Sequence, residues 1–262
     1  MSTVALDGVR HFMFDLDGCI WYGGVPAPGA AALISALRTA GRGVFFLTNV
    51  SGATASALSV RLNEAGIQTG PEAVMGPLSV LPRHPRLIGR PPALVLGTVA
   101  VHAVLKQANI PVVTDPKAAR VVIVGRDPRM TYGDLAAAVL ALDQGATLLA
   151  LNLDRRVPST NGVFVPGVGA IVAALTAASG TEPEVVGKPS AFFFTEAIRY
   201  FGIQASETVM VGDSLDSDVA GGARVGLRTV LVGAGVGGPQ PGIHPDLHVR
   251  DLDELRLLLI PD

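Results

Sequence analysis

Two carboxylates two residues apart, Asp15 and Asp17, follow directly on the short apolar run His11-Phe12-Met13-Phe14 and precede Gly18. Such a run suits a strand buried on both faces of a parallel sheet. A strand that ends in acids puts negative charge at the carboxyl edge, where open α/β sheets bind their ligands. Two like charges about 4 Å apart repel by roughly 4 kcal/mol at an effective dielectric near 20, so the pair calls for a cation, a raised pKa or intervening solvent. On its own the pattern also reads as Asp15 capping a turn, with Asp17-Gly18 an ordinary tight turn.

Two more strand ends carry groups of the same kind. Gly43-Val44-Phe45-Phe46-Leu47 runs into Thr48 and Asn49, and Thr208-Val209-Met210-Val211 runs into Gly212-Asp213-Ser214-Leu215-Asp216-Ser217-Asp218; Lys188 stands alone in Gly187-Lys188-Pro189. In a parallel sheet all carboxyl ends lie on one side, so these groups converge although they are far apart in sequence. The chemistry that uses such a set is phosphoryl transfer. A hard divalent cation such as Mg²⁺ takes oxygen ligands, here Asp15, Asp213 and a main-chain carbonyl near Asp17. The Thr48 hydroxyl, loop amides and the Lys188 ammonium suit the phosphate oxygens, and either carboxylate of the pair is able to attack phosphorus.

The elements that must position these groups follow an alternating rhythm. Pro28 to Ala40, Ala55 to Ala65, Ala191 to Phe201, Val219 to Val225 and Asp251 to Leu259 read as helices, each with apolar residues on one face or a glycine stop. Thr229 to Val232 reads as a further strand. Gly70 to Pro92, rich in proline, breaks the rhythm and reads as a linker. From Ala93 the alternation restarts, with strands in ALVLG, RVVIVG and ATLLALN and helices over Ala100 to Asn109, Tyr132 to Gln144 and Gly167 to Gly180. The fold class is therefore α/β, a Rossmann-like doubly wound parallel sheet formed by residues 1–80 and 186–262, with residues 81–185 inserted as a second α/β domain. That insert is expected to act as a mobile lid which excludes water from the site.

Composition sets outer bounds. The chain has 262 residues, 49% of them hydrophobic and only 16% charged, with mean hydropathy +0.45. Its longest apolar run, Ala93 to Leu105, is interrupted and too short to span a bilayer. The start lacks the pattern of a signal peptide, and the single cysteine, Cys19, fits a reducing compartment, so a cytoplasmic location is expected. A net charge of −2 gives no reason to expect a nucleic-acid or membrane partner.

With these motifs in order, FDLDGCIW, TNVSG, VGKP and VGDSLDSD, the chain resembles the haloacid dehalogenase superfamily of aspartyl-phosphate phosphatases, in its NagD-like, p-nitrophenyl phosphatase branch with a large α/β cap. The resemblance covers nearly the whole chain and implies roles. Asp15 is then nucleophile and metal ligand, and Asp17 is the general acid/base and gives its carbonyl to the metal. Thr48, Asn49 and Lys188 bind the phosphoryl group, Asp213 is the third protein ligand, and Asp218 supports the site. Asp216 falls at a variable position, and Val50 stands where relatives often carry a second Asn. NLDRRVPSTNGVFVPGVGA resembles the cap's substrate loop, which points to Asn152, Asp154 and Arg155. Caps of this family often mediate homodimers. Val157 replaces the histidine of the vitamin B6 phosphatases, which favours a polyol or sugar phosphate such as glycerol phosphate over pyridoxal phosphate, while Arg155 or Arg156 would suit a nucleotide or bisphosphate. A catalytically silent phosphate-binding protein is the rival of a different class, and the retained reactive groups speak against it. A metal-free dehalogenase is disfavoured by Asp17, and a phosphomutase of the other cap type by the position of the insert. The glycine run Gly233 to Gly238 has the wrong spacing for a dinucleotide loop and reads as a surface loop. The five histidines lack metal-ligand spacing, and Cys19 reads as a small packing residue.

Overall fold

The computed structural model describes residues 6–158, 163–237 and 242–260. The chain divides into two compact units, Met1–Thr48 with Ala55–Met75 and Lys188–Asp262, and Asn49–Thr54 with Gly76–Gly187.

The first unit is built on a six-stranded sheet, ordered Leu247–Val249, Arg228–Val236, Thr208–Ser214, His11–Asp15, Gly43–Leu47, Val74–Met75, with every neighbouring pair parallel. Burial on both faces explains the continuous apolar runs: Phe12, Met13 and Phe14 are fully enclosed, as are Val209, Met210 and Val211 beside them. From His11–Asp15 the chain moves outward to Gly43–Leu47 on one side and returns on the other as Thr208–Ser214. The strand order therefore reverses beside Asp15, the position at which open α/β sheets form a ligand crevice. Helix Ala30–Thr39 buries Leu33, Ile34 and Leu37 and packs against the closing helix Leu252–Leu259, while Ala191–Phe201 packs against Ala220–Arg224.

The second unit has its own parallel sheet, ordered Glu184–Val185, Thr147–Ala150, Val121–Val124, Ala93–Leu96. Helices Tyr132–Asp143 and Val168–Ser179 cover one of its faces, joining Ala138, Leu142, Val172 and Leu175 to Val122, Val124 and Leu148 in one apolar cluster. An antiparallel ribbon, Arg156–Pro158 with Phe164–Pro166, closes the loop before the second of these helices.

Three expectations need correction. Gly70 to Pro92 is not a linker: it holds the edge strand Val74–Met75, the helical turn Pro77–Val80 and three further single turns, with Leu78, Val80, Leu81 and Leu87 buried. Pro71, Pro77, Pro82 and Pro85 stand in the first turns of these pieces, where a missing N–H costs nothing and a fixed φ helps. Second, the division falls at 75/76 and 187/188 rather than 80/81 and 185/186, and Asn49–Thr54 goes with the second unit. The amides of Val186 and Gly187 bond the carbonyls of Ala150 and Leu151 and so extend the second sheet to the residue before Lys188. Third, the glycine run beginning at Gly233 is strand as far as Val236, which pairs with Ser214; Gly238 lies outside the described residues. Among the described residues no helix is long and apolar enough to cross a membrane.

Candidate active site

Asp15 is the last residue of the central strand and pairs with Leu47, so Thr48 follows at the same edge. On its other side the neighbouring strand is irregular between Gly212 and Ser214, which brings Asp213 and Asp218 to that edge. The chain after Ser214 forms one wide turn, Leu215–Val219, opened by the Ser214 hydroxyl accepting from the Ser217 amide at 3.1 Å. Gly212 permits this return, because a Cβ there would lie 2.2 Å from Asp218 Oδ2.

Lys188 is the cation of the cluster. Its ammonium donates to Asp15 Oδ1 at 2.5 Å, to Asp218 Oδ1 at 2.6 Å and to the Leu47 carbonyl at 3.5 Å. The lysine is only 2% exposed and Asp218 1%. Burial alone would lower the lysine, but Asp15 and Asp218 outweigh it and push its pKa up, so it stays charged. Three carboxylates share this one cation. Burial pushes Asp15 up, reinforced by Asp218 and Asp213 and opposed by Lys188. Asp213 is pushed up to about 6, first by burial and then by the charge of Asp218. The cluster thus holds an excess of negative charge out of water, which either protons or a further cation must relieve.

One carboxylate oxygen from each of Asp15, Asp213 and Asp218 lies within 4.8 Å of the others. An all-oxygen, anionic set of this kind fits a hard divalent cation. Within it the oxygens of Asp218 are already engaged, Oδ1 by Lys188 and Oδ2 by the Ser214 amide at 3.1 Å. Asp213 is partly exposed and lies so close to the Asp17-Gly18 main chain that a Cβ at Gly18 would stand 2.2 Å from its Oδ2. Gly18 also has φ +98°, a conformation that other residues rarely adopt.

Asp17 differs from Asp15 in every respect. It is exposed, and its Oδ1 accepts a 2.7 Å hydrogen bond from the indole N–H of Trp21. The intervening loop is closed by its own main chain: the amides of Cys19, Ile20 and Trp21 converge on the Leu16 carbonyl at 3.3, 2.9 and 3.0 Å, and the Gly18 amide bonds the Trp21 carbonyl at 2.8 Å. The Trp21 ring is buried, and the Arg61 guanidinium carbon lies 4.5 Å from the ring centroid. Sequence reasoning missed this pair, although the single tryptophan four residues after Asp17 was the available signal. Cys19 is buried, with Sγ 3.8 Å from the Val211 carbonyl, and burial pushes its thiol up, which leaves it unreactive.

Of the expected phosphate-binding residues, Thr48 and Lys188 belong to the first unit and Asn49 to the second. Thr48 is buried, and its amide bonds the Met75 carbonyl. Within the second unit, Asn49 Nδ2 donates to Asp154 Oδ1 at 3.3 Å, and Asn152 Nδ2 donates to the Asn49 carbonyl at 2.6 Å while its Oδ1 accepts from the Asp154 amide at 3.1 Å. Both ends of the buried Asn152 amide are thus used in holding Asn49 and Asp154 together. This loop lies tight on the start of helix Val168–Ser179, where a Cβ on Gly167 or Gly169 would meet the Asp154 or Leu153 carbonyl oxygen at 2.1 or 2.2 Å. Arg155 is exposed, and Arg156 stacks on Phe164 at 4.3 Å.

The family models agree with this geometry. A "Haloacid dehalogenase-like hydrolase" model matches residues 12–111, and a HAD-hydrolase-like model matches residues 185–255. The chain is 36% identical to a glycerol-3-phosphate phosphatase of Homo sapiens, over 90% of this chain and 82% of that one. The chain belongs to the haloacid dehalogenase-like hydrolase family. It is also 30% identical to an acid sugar phosphatase of Staphylococcus aureus, over 94% of this chain and 96% of the relative. Its structure superposes on NagD from E. coli K-12 with a TM-score of 0.84 at 26% identity, over 94% and 98% of the two chains. It is a NagD-like phosphatase of this family, a phosphoric monoester hydrolase.

Proposed function

We propose that the enzyme hydrolyses small polyol or sugar phosphates with Mg²⁺ as cofactor, through an aspartyl-phosphate on Asp15. The observation that carries this reading is the buried cluster of Asp15, Asp213 and Asp218 around Lys188. The names of the two relatives, a glycerol-3-phosphate phosphatase and an acid sugar phosphatase, support the substrate class.

In the first half-reaction a carboxylate oxygen of Asp15 attacks phosphorus, the ester P–O bond breaks, and the leaving alkoxide takes a proton from Asp17. In the second, Asp17 removes a proton from water as its oxygen attacks phosphorus; the P–O bond to Asp15 breaks, and inorganic phosphate departs. Lys188, held charged, offsets the charge of the phosphoryl oxygens together with the Thr48 hydroxyl. A bound Mg²⁺ would supply Lewis-acid neutralisation of those oxygens, held by Asp15, Asp213 and the Asp17 carbonyl. Asp218 anchors Lys188, its own oxygens being occupied by donors. In the second unit, Asp154 and Asn49 offer acceptor and donor groups for substrate hydroxyls, with Asn152 as their brace, and Arg155 offers a cation for a second anionic group. A homodimer through the second unit and a cytoplasmic location complete the reading.

A panel of phosphate esters assayed with Mg²⁺ and with chelator tests it. Asp15→Asn should lose essentially all turnover, because monoester hydrolysis requires accelerations of up to about 10²¹-fold. Retention of more than a few per cent would remove Asp15 as nucleophile, and turnover undiminished by chelator would remove the metal. A nucleotide or pyridoxal phosphate preferred over every polyol and sugar phosphate would replace the substrate class. A single species of monomer mass in sedimentation would remove the dimer.

A further inference from the structure

From the hydrogen bond between the Trp21 indole and Asp17, we infer that Trp21 is a positioning residue for the general acid/base, fixing which oxygen of Asp17 carries the proton. The inference rests on the reading of Asp17 as the group that protonates the leaving oxygen.

An exposed carboxyl on a loop rotates freely about χ2 and presents either oxygen to its surroundings. Asp17 is exposed, and a proton donor that wanders loses most of the rate that proximity and orientation supply. Here the carboxyl is held. Indole N–H is a donor only, so Oδ1, 2.7 Å away, acts as acceptor in that contact. The acid form then carries its proton on Oδ2. The tether is itself rigid. The hydrogen bonds onto the Leu16 carbonyl and the Gly18–Trp21 bond tie the backbone of residue 17 to that of residue 21. The ring is 1% exposed, has Arg61 over its face, and sits in the two-residue ribbon Trp21–Tyr22/Val25–Pro26. A buried indole carries an N–H that requires an acceptor. Here that acceptor is the one exposed carboxylate of the loop rather than a main-chain carbonyl, which ties the orientation of Asp17 to the buried ring.

The role is separable from a structural one by leaving group. p-Nitrophenolate departs without a proton, whereas an alkoxide such as that of glycerol 3-phosphate must receive one as the P–O bond breaks. The value of kcat/KM reports steps up to the first irreversible one, and the ratio of its values for the two esters on one preparation is independent of how much of the variant is folded. Trp21→Phe keeps an aromatic, apolar side chain and removes the donor. General acid catalysis is worth about 10²- to 10⁴-fold, so losing its orientation should lower the glycerol 3-phosphate to p-nitrophenyl phosphate ratio about 10- to 100-fold. In the Asp17→Asn background, where there is no proton to place, Trp21→Phe should leave the ratio unchanged. If Asp17→Asn lowers the ratio and Trp21→Phe does not, Trp21 is packing only and the inference is overturned while the role of Asp17 stands. If Asp17→Asn itself leaves the ratio at the wild-type value, Asp17 is not the acid, and the inference falls with that reading. A further fall caused by Trp21→Phe on top of Asp17→Asn would show that the indole acts by another route, which also overturns it.

Discussion

Lys188→Met tests the electrostatic account most directly. The wild-type ammonium is enclosed between Asp15 and Asp218 at 2.5 and 2.6 Å. At an effective dielectric near 20 a unit charge at that distance attracts each carboxylate by about 6–7 kcal/mol. Desolvating the ammonium takes back several kcal/mol, and breaking a buried pair by removing one partner costs about 3–5 kcal/mol in practice. Methionine fills a similar volume, so the loss reports charge rather than a cavity. At pH 7.5 with chelator the first unit should be destabilised by about 3–5 kcal/mol, which for a chain of this size lowers Tm by roughly 10 °C. The variant should partly recover on acidification, and the sign follows from the carboxylates left behind. Without the cation, burial holds Asp15 and Asp213 above their ordinary 3.8 in the folded state, so the folded state binds more protons than the unfolded chain between that value and neutrality. Stability then rises as pH falls through that window, and the deficit relative to wild type should narrow toward pH 5. Thermal melts at pH 7.5 and 5.5 provide the comparison. A loss below about 1 kcal/mol at pH 7.5, or a deficit that widens toward pH 5.5, would refute the view that Lys188 neutralises an otherwise overcharged cluster.

Three further outcomes follow. Asp213, pushed up to about 6 from an ordinary 3.8, penalises the metal-free fold at neutral pH by up to about 3 kcal/mol, a penalty relieved as pH falls from about 7 to about 4; Asp213→Asn should therefore raise the metal-free Tm at pH 7.5 and abolish the Tm gain given by added Mg²⁺, as read by paired melts. Gly18→Ala places a Cβ against Asp213 Oδ2 in a backbone with φ +98°; besides about 1–3 kcal/mol of strain, the Mg²⁺ concentration for half-maximal activity should rise about 10- to 100-fold, measured by titration. Asn152→Ala removes the hydrogen bonds that Asn152 makes with the Asn49 carbonyl and the Asp154 amide; the second unit should lose about 1–3 kcal/mol, and kcat/KM for a polyol phosphate should fall more than that for p-nitrophenyl phosphate.

The long elements were legible because both periodicities are strong. The helix expected over Ala191 to Phe201 runs over those residues, and the strand at Gly43 to Leu47 likewise. What escaped is short and lies at edges. Val74–Met75, Glu184–Val185 and Leu247–Val249 are two or three residues long, too few to show alternation, and their pairing is decided by neighbours distant in sequence. Proline was misleading for a related reason. In Gly70 to Pro92 it signalled a break, whereas Pro71, Pro77, Pro82 and Pro85 each stand in the first turn of a short helical piece.

For the site, strand ends gave the edge but not the pairing of atoms. GDSLDSD offers three acids within six residues, and composition does not say which of them turns inward. The wide turn Leu215–Val219 decides it. It carries Asp218 back to Gly212 and onto Lys188, while Asp216 goes toward Gly237, where a Cβ would meet its Oδ2 at 2.6 Å. The same holds for Asp15 and Asp17, two residues apart in an identical local pattern. One ends a buried strand beside the only cation of the cluster among the described residues, and the other sits exposed on a loop closed by main-chain hydrogen bonds. In the proposed mechanism their roles diverge because their surroundings do: enclosure with Lys188 suits Asp15 to form and release a bond to phosphorus, and exposure with one oxygen tied to Trp21 suits Asp17 to pass a proton. The spacing of two carboxylates shows that a division of labour is available, and the burial and partner of each decide which takes which part.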